Sequence, residues 1–467
     1  MRPTIWLGLL LLFLGGCTDS STDPQVEPPP SPVDRLKAAS RVVLRNASLV
    51  VTMDSALGTG PLGTLENADV LFADGAILSV GKGLEAPDAL ELDASGRIVM
   101  PGFVDVHNHL WQSLIRGCGA DKNVLGWLDE CVYSMRRVAL TEQEAFAAVR
   151  LSIVDLIDTG VTTVLDNSHA FNVNFSRGNQ RALDESGLRY VFAHCASGSR
   201  YPEHRTIKAE LDAKWPMASF QVCSHPGTST QTWLTNATAL SKELNVPLNL
   251  HLSENIADRE ERQLESMQQA RSFEAKLLVN HAVHLTNEEI ALLATSHARV
   301  AHNPLSNMRL ASGVINLPEM RAQGIKVGLG LDGGTNDMSD FFANMRAAVG
   351  LQRAKLLSAS AYPSIPEVLR MATLGGAEVL DLQDVIGSLS PGKKADLIII
   401  DPRAPNFGPR WDWLNQLVFN GRPENVEYVF VNGRVRKAEG RVLDVSEVEL
   451  GQEVDATVQR IKAVLQP

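Results

Sequence analysis

Two histidines separated by one residue follow an apolar run, in residues 104–109 (VDVHNH). In an extended strand, side chains two residues apart point to the same face, so His107 and His109 are expected to project side by side. Two imidazoles on one face can bind a metal ion, but a His-x-His pair also occurs on ordinary solvated strands. This segment alone leaves both interpretations open.

Four further residues with metal-binding or acid–base side chains end apolar runs of strand length: His251, His281, His302 and Asp332. If these runs are the parallel strands of a barrel, their C-terminal ends converge on one face, where active sites are built. Histidines with a purely structural role would not favour strand ends so consistently. The positions therefore favour one shared metal site over scattered polar residues.

The elements that must position these residues repeat one pattern within residues 101–382. A helical run ends at a glycine or an asparagine and an apolar strand follows, as at Gly160, Gly187, Asn245 and Gly324. Such units indicate parallel strands joined by crossover helices. About eight units in some 280 residues predict a (β/α)8 barrel, with a doubly wound open sheet as the alternative.

The segments on either side of this region have a different pattern. Residues 41–100 contain short β-rich runs punctuated by glycine and aspartate, and the same pattern returns in residues 383–445. Together these two segments predict one composite β-sandwich beside the barrel. Residues 446–467 predict a C-terminal amphipathic helix, and the sequence leaves open whether that helix contacts this barrel or a partner subunit.

The N-terminus has the features of an export signal. Arg2 precedes an apolar run over residues 5–14 and then Gly15, Gly16 and Cys17, a pattern typical of a secretory signal and too short to span a bilayer. The ending resembles the bacterial lipobox, so residues 1–17 are predicted to be a lipoprotein signal peptide with Cys17 as the lipidation site. The alternative is an ordinary secretory signal in which Cys17 is incidental.

The residues that follow the signal are rich in Ser, Asp and Pro, and residues 18–40 predict a disordered tether. We therefore expect a protein of the bacterial cell envelope, held on the periplasm-facing outer membrane or the cell surface. Membrane lipid would be its partner through the N-terminal acyl anchor.

Composition narrows the possible functions. The chain has 467 residues with 44% hydrophobic content, enough for a barrel and an accessory domain. Its formal charge of −11, with no basic cluster, argues against a nucleic-acid partner. Beyond Cys17 there are four cysteines without CxxC spacing, which disfavours a cysteine-based zinc site. Disulfide pairing and buried thiols both stay open.

Six motifs, in this order along the chain, together resemble the amidohydrolase superfamily: PGFVDVHNH, HLSE, NHAVHLT, AHNPLSNMRLASG, GLGLDGG and PGKKADLIII. They are more narrowly similar to its mononuclear deaminase and chlorohydrolase branch, which includes adenosylhomocysteine, guanine and cytosine deaminases and triazine hydrolases. The resemblance extends from about residue 41 to residue 442. It implies a distorted (β/α)8 barrel with a composite β-sandwich.

The resemblance implies a ligand set for one divalent metal, formed by His107, His109, His251 and Asp332. Three imidazoles and one carboxylate suit Zn²⁺ and leave a position for water, and iron or manganese would also accept them. Family members with two metals usually add a carboxylated lysine on the fourth barrel strand. Residues 220–225 (FQVCSH) contain no lysine, so we expect one metal.

The implied reaction is hydrolytic deamination of an amino-substituted purine, pyrimidine or triazine-like ring by a metal-bound hydroxide. Asp332 would take a proton from the water, and Glu254 would carry a proton to a ring nitrogen. His281 would orient the hydroxide and stabilise the developing charge. The alternative for Glu254 is a first-turn acid of the following helix.

Five residues are predicted to contact the substrate: Trp111, Gln112, Arg116, His225 and His302. The segment after the metal pair resembles the substrate-lining region of the deaminase branch, where a tryptophan offers a flat apolar face and a glutamine can bond a ring edge. Trp111 and Trp127 packing beneath the barrel mouth is the alternative, as is a supporting role for His302. His169, His194, His204 and His297 are assigned as structural or surface residues.

Two other functions use the same scaffold. A chlorohydrolase, alkylaminohydrolase or cyclic-amide hydrolase would keep the same metal ligands. A non-catalytic surface binding protein is disfavoured because such descendants typically lose ligands, whereas this chain retains all four together with Glu254 and His281. The expected partner is a small heterocyclic molecule, and a homo-oligomer stays open.

Overall fold

The computed structural model describes residues 30–333 and 338–465. The predicted signal peptide, Cys17 and the loop of residues 334–337 lie outside these described ranges. Strands form three sheets, of four, nine and seven strands. No helix in the described ranges is long and apolar enough to cross a membrane.

The N-terminal segment contributes a short helix and seven strands: α1 (Pro32–Ala38), β1 (Arg41–Ala47), β2 (Leu49–Val51), β3 (Thr64–Leu65), β4 (Ala68–Ala73), β5 (Ala76–Gly81), β6 (Leu90–Asp93) and β7 (Ile98–Pro101).

The middle of the chain supplies the strands of the nine-stranded parallel sheet: β8 (Phe103–His109), β9 (Val161–Ser168), β10 (Arg189–His194), β11 (Ala218–Ser224), β12 (Leu248–Leu252), β13 (Leu277–His281), β14 (Arg299–His302), β15 (Lys326–Leu329) and β16 (Asp332–Gly333). The helices of this region are α2 (Val124–Trp127), α3 (Glu142–Asp158), α4 (Val173–Ser186), α5 (Tyr201–Asp212), α6 (Gln231–Leu244), α7 (Gln263–Gln269), α8 (Asn287–Thr295), α9 (Pro304–Arg309), α10 (Leu317–Ala322), α11 (Phe341–Leu356), α12 (Ile365–Met371) and α13 (Leu374–Val379).

The C-terminal segment adds four strands and two helices: β17 (Leu397–Ile400), α14 (Trp413–Phe419), β18 (Val426–Val431), β19 (Arg434–Ala438), β20 (Arg441–Val442) and α15 (Glu447–Leu465).

The nine-stranded sheet curls and closes on itself. β15 pairs with β14, and β16, two residues further along the chain, pairs with β8 at the other end of the sheet. A Cβ on Gly330, between β15 and β16, would lie 2.9 Å from the Cβ of His107, so only glycine lets the chain approach β8 this closely. β15 and β16 therefore act as one broken eighth strand, and the predicted distorted (β/α)8 barrel is confirmed.

Helices end as the sequence pattern predicts. Gly187 follows α4 with φ 70°, and Asn245 follows α6 with φ 53°, so both residues adopt the left-handed conformation that stops a helix. Gly160 and Gly324 also have positive φ before their strands. At these four positions the chain leaves a helix and enters a buried strand.

The two smaller sheets form the sheet domain, which both ends of the chain build together. One sheet has the order β5-β4-β1-β6, and the other has the order β20-β19-β18-β17-β7-β2-β3. In the second sheet, β7 from the N-terminal segment pairs with β17 from the C-terminal segment. Buried residues of both sheets form one apolar core, which includes Phe72 and Phe430.

The predicted disordered tether is wrong for its last part, because Pro32–Ala38 form helix α1. The hydroxyl of Ser31 accepts from the backbone N–H of Asp34, and the Asp34 carboxylate accepts from the backbone N–H of Ser31. Leu36 is buried against the core of the sheet domain. The capping box and this apolar anchor order a segment that the Ser- and Pro-rich composition marked as disordered.

Helix α15 lies on this barrel rather than extending away from it. Arg460 on α15 makes two hydrogen bonds to the carboxylate of Glu144 on α3, at 2.5 and 2.7 Å. Gln143 on the same helix bonds Glu453 at 2.5 Å. The C-terminal helix therefore contacts the barrel of its own chain, one of the two possibilities that the sequence left open.

A buried ion pair joins the barrel to the sheet domain. The guanidinium of Arg189, at the start of β10, donates to both carboxylate oxygens of Asp396 at 2.9 and 3.1 Å. The backbone N–H of Asn432 also donates to Asp396, at 2.7 Å. Both charged side chains are almost fully buried, so each charge is compensated by the other and not by water.

Removing one partner of this pair is expected to destabilise the protein. Arg189→Met leaves the Asp396 carboxylate buried without its cation, so the free energy of unfolding should fall by about 3–5 kcal/mol. Urea denaturation followed by circular dichroism measures the change. Arg205→Met is the matched control, because it breaks an exposed pair with Glu243 and should cost less than about 1 kcal/mol. Equal effects of the two substitutions would contradict the role given to Arg189.

Candidate active site

A cluster of histidines and carboxylates lies at the carboxyl ends of the barrel strands. His107 and His109 end β8, His251 lies near the end of β12, His281 ends β13, and Asp332 begins β16. All of these side chains are buried or nearly so. The barrel therefore brings together residues that are up to 225 positions apart in the chain, as the strand-end positions predicted.

Asp332 is the hub of the cluster. Its Oδ1 lies 3.1 Å from Nε2 of His107 and 3.5 Å from Nε2 of His109. Its other oxygen accepts a hydrogen bond from the hydroxyl of Ser306. A separation of 3.1 Å between His107 and Asp332 would also suit two ligands of one ion.

The orientation of His109 suits a metal ligand. Its Nδ1 lies 2.6 Å from the backbone carbonyl oxygen of Asn167, an acceptor, so Nδ1 carries the hydrogen and donates. Nε2 therefore presents a lone pair to the cluster, 3.2 Å from Nε2 of His251. A histidine that is fixed through one nitrogen and offers the other is the usual supporting arrangement of a metal site.

The charge states in the cluster also suit a cation. Burial lowers the pKa of His109 to about 3, with His107 contributing in the same direction, so the imidazole is neutral at pH 7. Burial acts to raise the pKa of Asp332, but the adjacent His281 and His107 outweigh it and lower the pKa. Neutral imidazoles and an ionised carboxylate are the forms that bind a divalent metal.

Glu254 and His281 form a second pair beside this cluster. Oε2 of Glu254 lies 3.7 Å from Nε2 of His281. Burial, reinforced by the carboxylates of Asp332 and Asp258, raises the pKa of Glu254 well above its ordinary value. A carboxyl group in this setting can hold a proton at neutral pH and release it to a bound molecule.

Two asparagines set the tautomer of His281. Nδ1 of His281 lies 2.9 Å from Nδ2 of Asn307 and 3.3 Å from Nδ2 of Asn303, and both amides donate to it. Nε2 therefore carries the hydrogen and acts as a donor on the side of Glu254 and Asp332. His281 and Asp332 also have positive φ, of 70° and 73°, a strained backbone that occurs often at functional sites.

Asp258, and not Glu254, is the first-turn acid of the helical turn that follows β12. Asp258 accepts hydrogen bonds from the backbone N–H groups of Glu254 and Asn255, and with Asn255 it forms a capping box on the short helical turn Ile256–Arg259. Glu254 precedes this turn and lines the cavity.

A cavity of about 790 Å³ opens above the cluster. Gln112 and His225, both predicted as substrate contacts, line it, and so does Trp127. The ring of His225 stacks on that of His251 with centroids 4.8 Å apart. All three side chains line the space above the cluster.

Three predicted substrate contacts are not brought to the cavity. Arg116 lies outside it and pairs with Asp155 at 2.6 Å. His302 is buried on the outer face of β14, since the preceding residue Ala301 belongs to the core inside the barrel. Trp111 is fully buried in a supporting layer rather than exposed to the cavity.

The prediction that His169 is a structural or surface residue is wrong, because His169 lines the cavity. It directly follows β9, and its ring centroid lies 4.6 Å from that of His109. The strand-end rule that selected the other histidines would also have selected this one. However, the apolar run of residues 161–165 ends four residues before His169, so the sequence alone does not place this histidine at a strand end.

Two buried aspartates, Asp105 and Asp166, were also missed. Asp105 accepts from the backbone N–H of Leu331 at 3.0 Å, and Asp166 accepts from that of Leu110 at 3.0 Å. Burial raises the pKa of both to about 7. These carboxyl groups hold the residues next to the strand ends, through contacts between distant segments that no local sequence pattern marks.

The four cysteines in the described ranges form two disulfides, Cys118–Cys131 and Cys195–Cys223. The first closes a segment that includes α2 and carries Trp127 on the cavity wall. The second joins the ends of β10 and β11, and Cys195 also lines the cavity. Both bonds therefore constrain the surroundings of the site.

Removing the first disulfide is expected to loosen the cavity wall. The bond closes a loop with a sequence separation of 13, for which chain entropy predicts roughly 3 kcal/mol of stability. The double variant Cys118→Ser/Cys131→Ser should lose a comparable free energy of unfolding, and limited proteolysis should cut residues 116–137 faster. The variant Cys195→Ser/Cys223→Ser is the control, because its bond lies in the barrel. Unchanged cleavage of residues 116–137 in the first variant would contradict the constraint.

Residues 98–436 of the chain match the amidohydrolase family. The 5-methylthioadenosine/S-adenosylhomocysteine deaminase of Pelotomaculum thermopropionicum is 30% identical over 440 residues, which span 90% of this chain and 98% of that protein.

Solved structures show the same fold. An adenosine deaminase from Xanthomonas campestris with bound zinc superposes with a TM-score of 0.79 at 24% identity, over 90% of this chain and 98% of that one. An atrazine chlorohydrolase from Arthrobacter aurescens, complexed with zinc, gives a TM-score of 0.76 at 21% identity, over 89% and 100%. The resemblance to deaminases and triazine hydrolases is thereby confirmed.

Proposed function

The chain belongs to the amidohydrolase family, and we propose that it uses one divalent metal to deaminate an amino-substituted heterocycle by hydrolysis. It is a hydrolase of carbon–nitrogen bonds other than peptide bonds. The observation that carries the proposal is the convergence of His107, His109, His251 and Asp332 beside the pair formed by Glu254 and His281.

Zinc is the metal we propose, with iron or manganese as substitutes that the same ligands accept. The donors suit it because the Nε2 atoms of His109 and His251 and Oδ1 of Asp332 face one another in a buried site. The fourth barrel strand, β11, contains no lysine that could bridge two metals. One metal per chain is therefore expected.

The metal would supply a water nucleophile at neutral pH, because a bound divalent cation lowers the pKa of water toward 7. Asp332, whose lowered pKa keeps its carboxylate ionised, would accept the proton of that water. Glu254 holds a proton on its carboxyl group and delivers it to the ring nitrogen next to the reacting carbon. The Nε2–H group of His281 donates to the charge that develops during attack.

The substrate we propose is a nucleoside-like molecule rather than a bare base. The cavity volume of about 790 Å³ lies toward the upper end of small-molecule sites and leaves room for a substituent beyond the ring. Trp127 offers an apolar face, and Gln112 lies beside the cluster to bond a ring edge. The 5′-substituted adenosines in the names of relatives fit this description.

Metal content and the role of Glu254 can be tested together. Elemental analysis of a protein that begins near Pro30, ahead of the Ser31 cap of α1, should find about one zinc or iron per chain, and His107→Ala should lose it. Glu254→Gln should keep the metal and lower kcat for 5′-methylthioadenosine by about 10²–10⁴, because the amide cannot carry the proton. Nearly two metals per chain would favour a binuclear cyclic-amide hydrolase. No metal after reconstitution, or an active Glu254→Gln variant, would overturn the proposal.

We also propose that the protein is exported and lipid-anchored through Cys17. The charged residue, apolar run and lipobox-like ending of residues 1–17 support this location. So do the two disulfides, because such bonds persist in oxidising compartments.

Substitution of Cys17 is expected to release the protein from the membrane. In a bacterial host, wild-type protein should take up radiolabelled palmitate and sediment with membranes, whereas Cys17→Ser should do neither and keep its deaminase activity. Cys118→Ser is the control, since its position should leave labelling unchanged. Label incorporated into the Cys17→Ser protein would contradict the anchor.

A further inference from the structure

We infer that His169 determines substrate specificity by donating a hydrogen bond from Nε2 to a ring nitrogen on the edge opposite Glu254. This inference rests on the proposed function, since it concerns the orientation of the same ring. It also gives a role to Trp111, which the cavity does not reach.

The hydrogen-bond partner of His169 fixes its tautomer. The indole Nε1 of Trp111 lies 2.9 Å from Nδ1 of His169. An indole N–H can only donate, so Nδ1 must accept, and the hydrogen of the neutral imidazole resides on Nε2. Within the ranges that the structure describes, the hydrogen bond of His169 is the one made through Nδ1, and the residue lines the cavity. His169 therefore presents a donor to whatever occupies the cavity.

Trp111 is built to hold this arrangement. Its side chain is fully buried, and its ring packs edge-on against Phe171 and Phe175 with centroids 5.2 and 5.9 Å away. The His169 ring is in turn tilted against Phe171, with centroids 5.3 Å apart. Because aromatic rings surround the indole, its N–H stays directed at His169. Trp111 is thus a positioning residue for His169.

Two donors of protons or hydrogen bonds flank the metal-binding cluster on opposite sides. His169 packs against His109, with ring centroids 4.6 Å apart. Glu254 lies against His281, with an oxygen 3.7 Å from Nε2. His107 and His251 lie between these two flanks, since each has ring contacts with both His109 and His281. A flat ring above the cluster would turn one edge to Glu254 and the other to His169.

Purine chemistry identifies the atom that His169 contacts. In a 6-aminopurine the reacting carbon, C6, has N1 on one side and the N7 edge on the other. Glu254 delivers its proton to N1 in the proposed reaction, so the N7 edge faces His169. N7 is an acceptor, which matches an Nε2–H donor. A ring without an acceptor there leaves the donor unpaired, a mismatch that enzymes discriminate strongly.

The test compares adenosine, 7-deazaadenosine and 3-deazaadenosine as substrates of the metal-loaded enzyme. The 7-deaza ring replaces the N7 acceptor by a C–H group, and the 3-deaza ring is the control that keeps N7. The measured quantity is the ratio of kcat/KM for adenosine to that for 7-deazaadenosine. Comparing this ratio between variants removes the intrinsic difference in reactivity between the two rings.

His169→Phe keeps an aromatic ring but removes the donor, so the ratio should fall by about 10–100-fold relative to wild type. His169→Gln restores an N–H donor and should recover part of the discrimination. Trp111→Phe keeps the packing but frees the tautomer, so it should give an intermediate ratio. ¹⁵N spectra of labelled histidine should then show hydrogen on Nδ1 of His169, a change that a purely structural role for Trp111 would not produce.

Binding measurements separate this inference from the proposed function. Calorimetry with inosine and 7-deazainosine should show the same loss of discrimination in His169→Phe without turnover. A wild-type enzyme that deaminates adenosine with a ratio unchanged in His169→Phe would overturn the inference and leave the proposed function standing. A wild-type enzyme that neither binds nor deaminates any of the nucleosides would overturn both.

Discussion

The closure of the barrel at one short strand pair is the constraint on which the site depends. β16 contributes only two residues, and they pair with Asn108 and His109 of β8. This pairing places Asp332 against the two histidines that come more than two hundred residues earlier. Leu331, just before β16, donates its backbone N–H to Asp105, two residues before His107. The ligand cluster therefore exists only in a closed barrel, so the fold and the site form together.

The floor of the site is a layer of buried amides inside the barrel. Asn249 accepts from Nδ2 of Asn167 at 2.8 Å and from Nδ2 of Asn280 at 2.7 Å, and it donates to Gln221 at 3.0 Å. These residues come from β9, β13, β12 and β11, and the backbone carbonyl of Asn167 also orients His109. A polar network of this kind is stabilising only when its members find partners, so it specifies the relative positions of the strands. Packing alone would leave these positions looser.

The barrel, the sheet domain and the convergence of the ligand residues could be predicted because each depends on a local signal. Helix ends at Gly187 and Asn245 mark the units, and a histidine or an aspartate at a strand end needs only the parallel topology to find its neighbours. The path of the chain after β8 carries no such signal. Whether Trp111 or His169 faces the cavity depends on how the residues after β8 pack against β9, a contact between distant segments. The pairing of the cysteines could not be predicted for the same reason, because it depends on contacts between segments that are separated in the sequence.

Because β7 pairs with β17, the sheet domain cannot complete its folding until the C-terminal segment of the chain has been synthesised. During synthesis β2 and β7 emerge early, yet Leu397–Ile400, the strand that pairs with the other side of β7, appears nearly three hundred residues later. Until then one edge of β7 is unpaired, and its apolar residues Ile98, Val99 and Met100, which are buried in the folded protein, are exposed. An exposed apolar edge strand can pair with the wrong strand. The barrel in between must therefore collapse next to an unfinished sheet. Correct order of assembly is thus as much a demand on this sequence as its final packing.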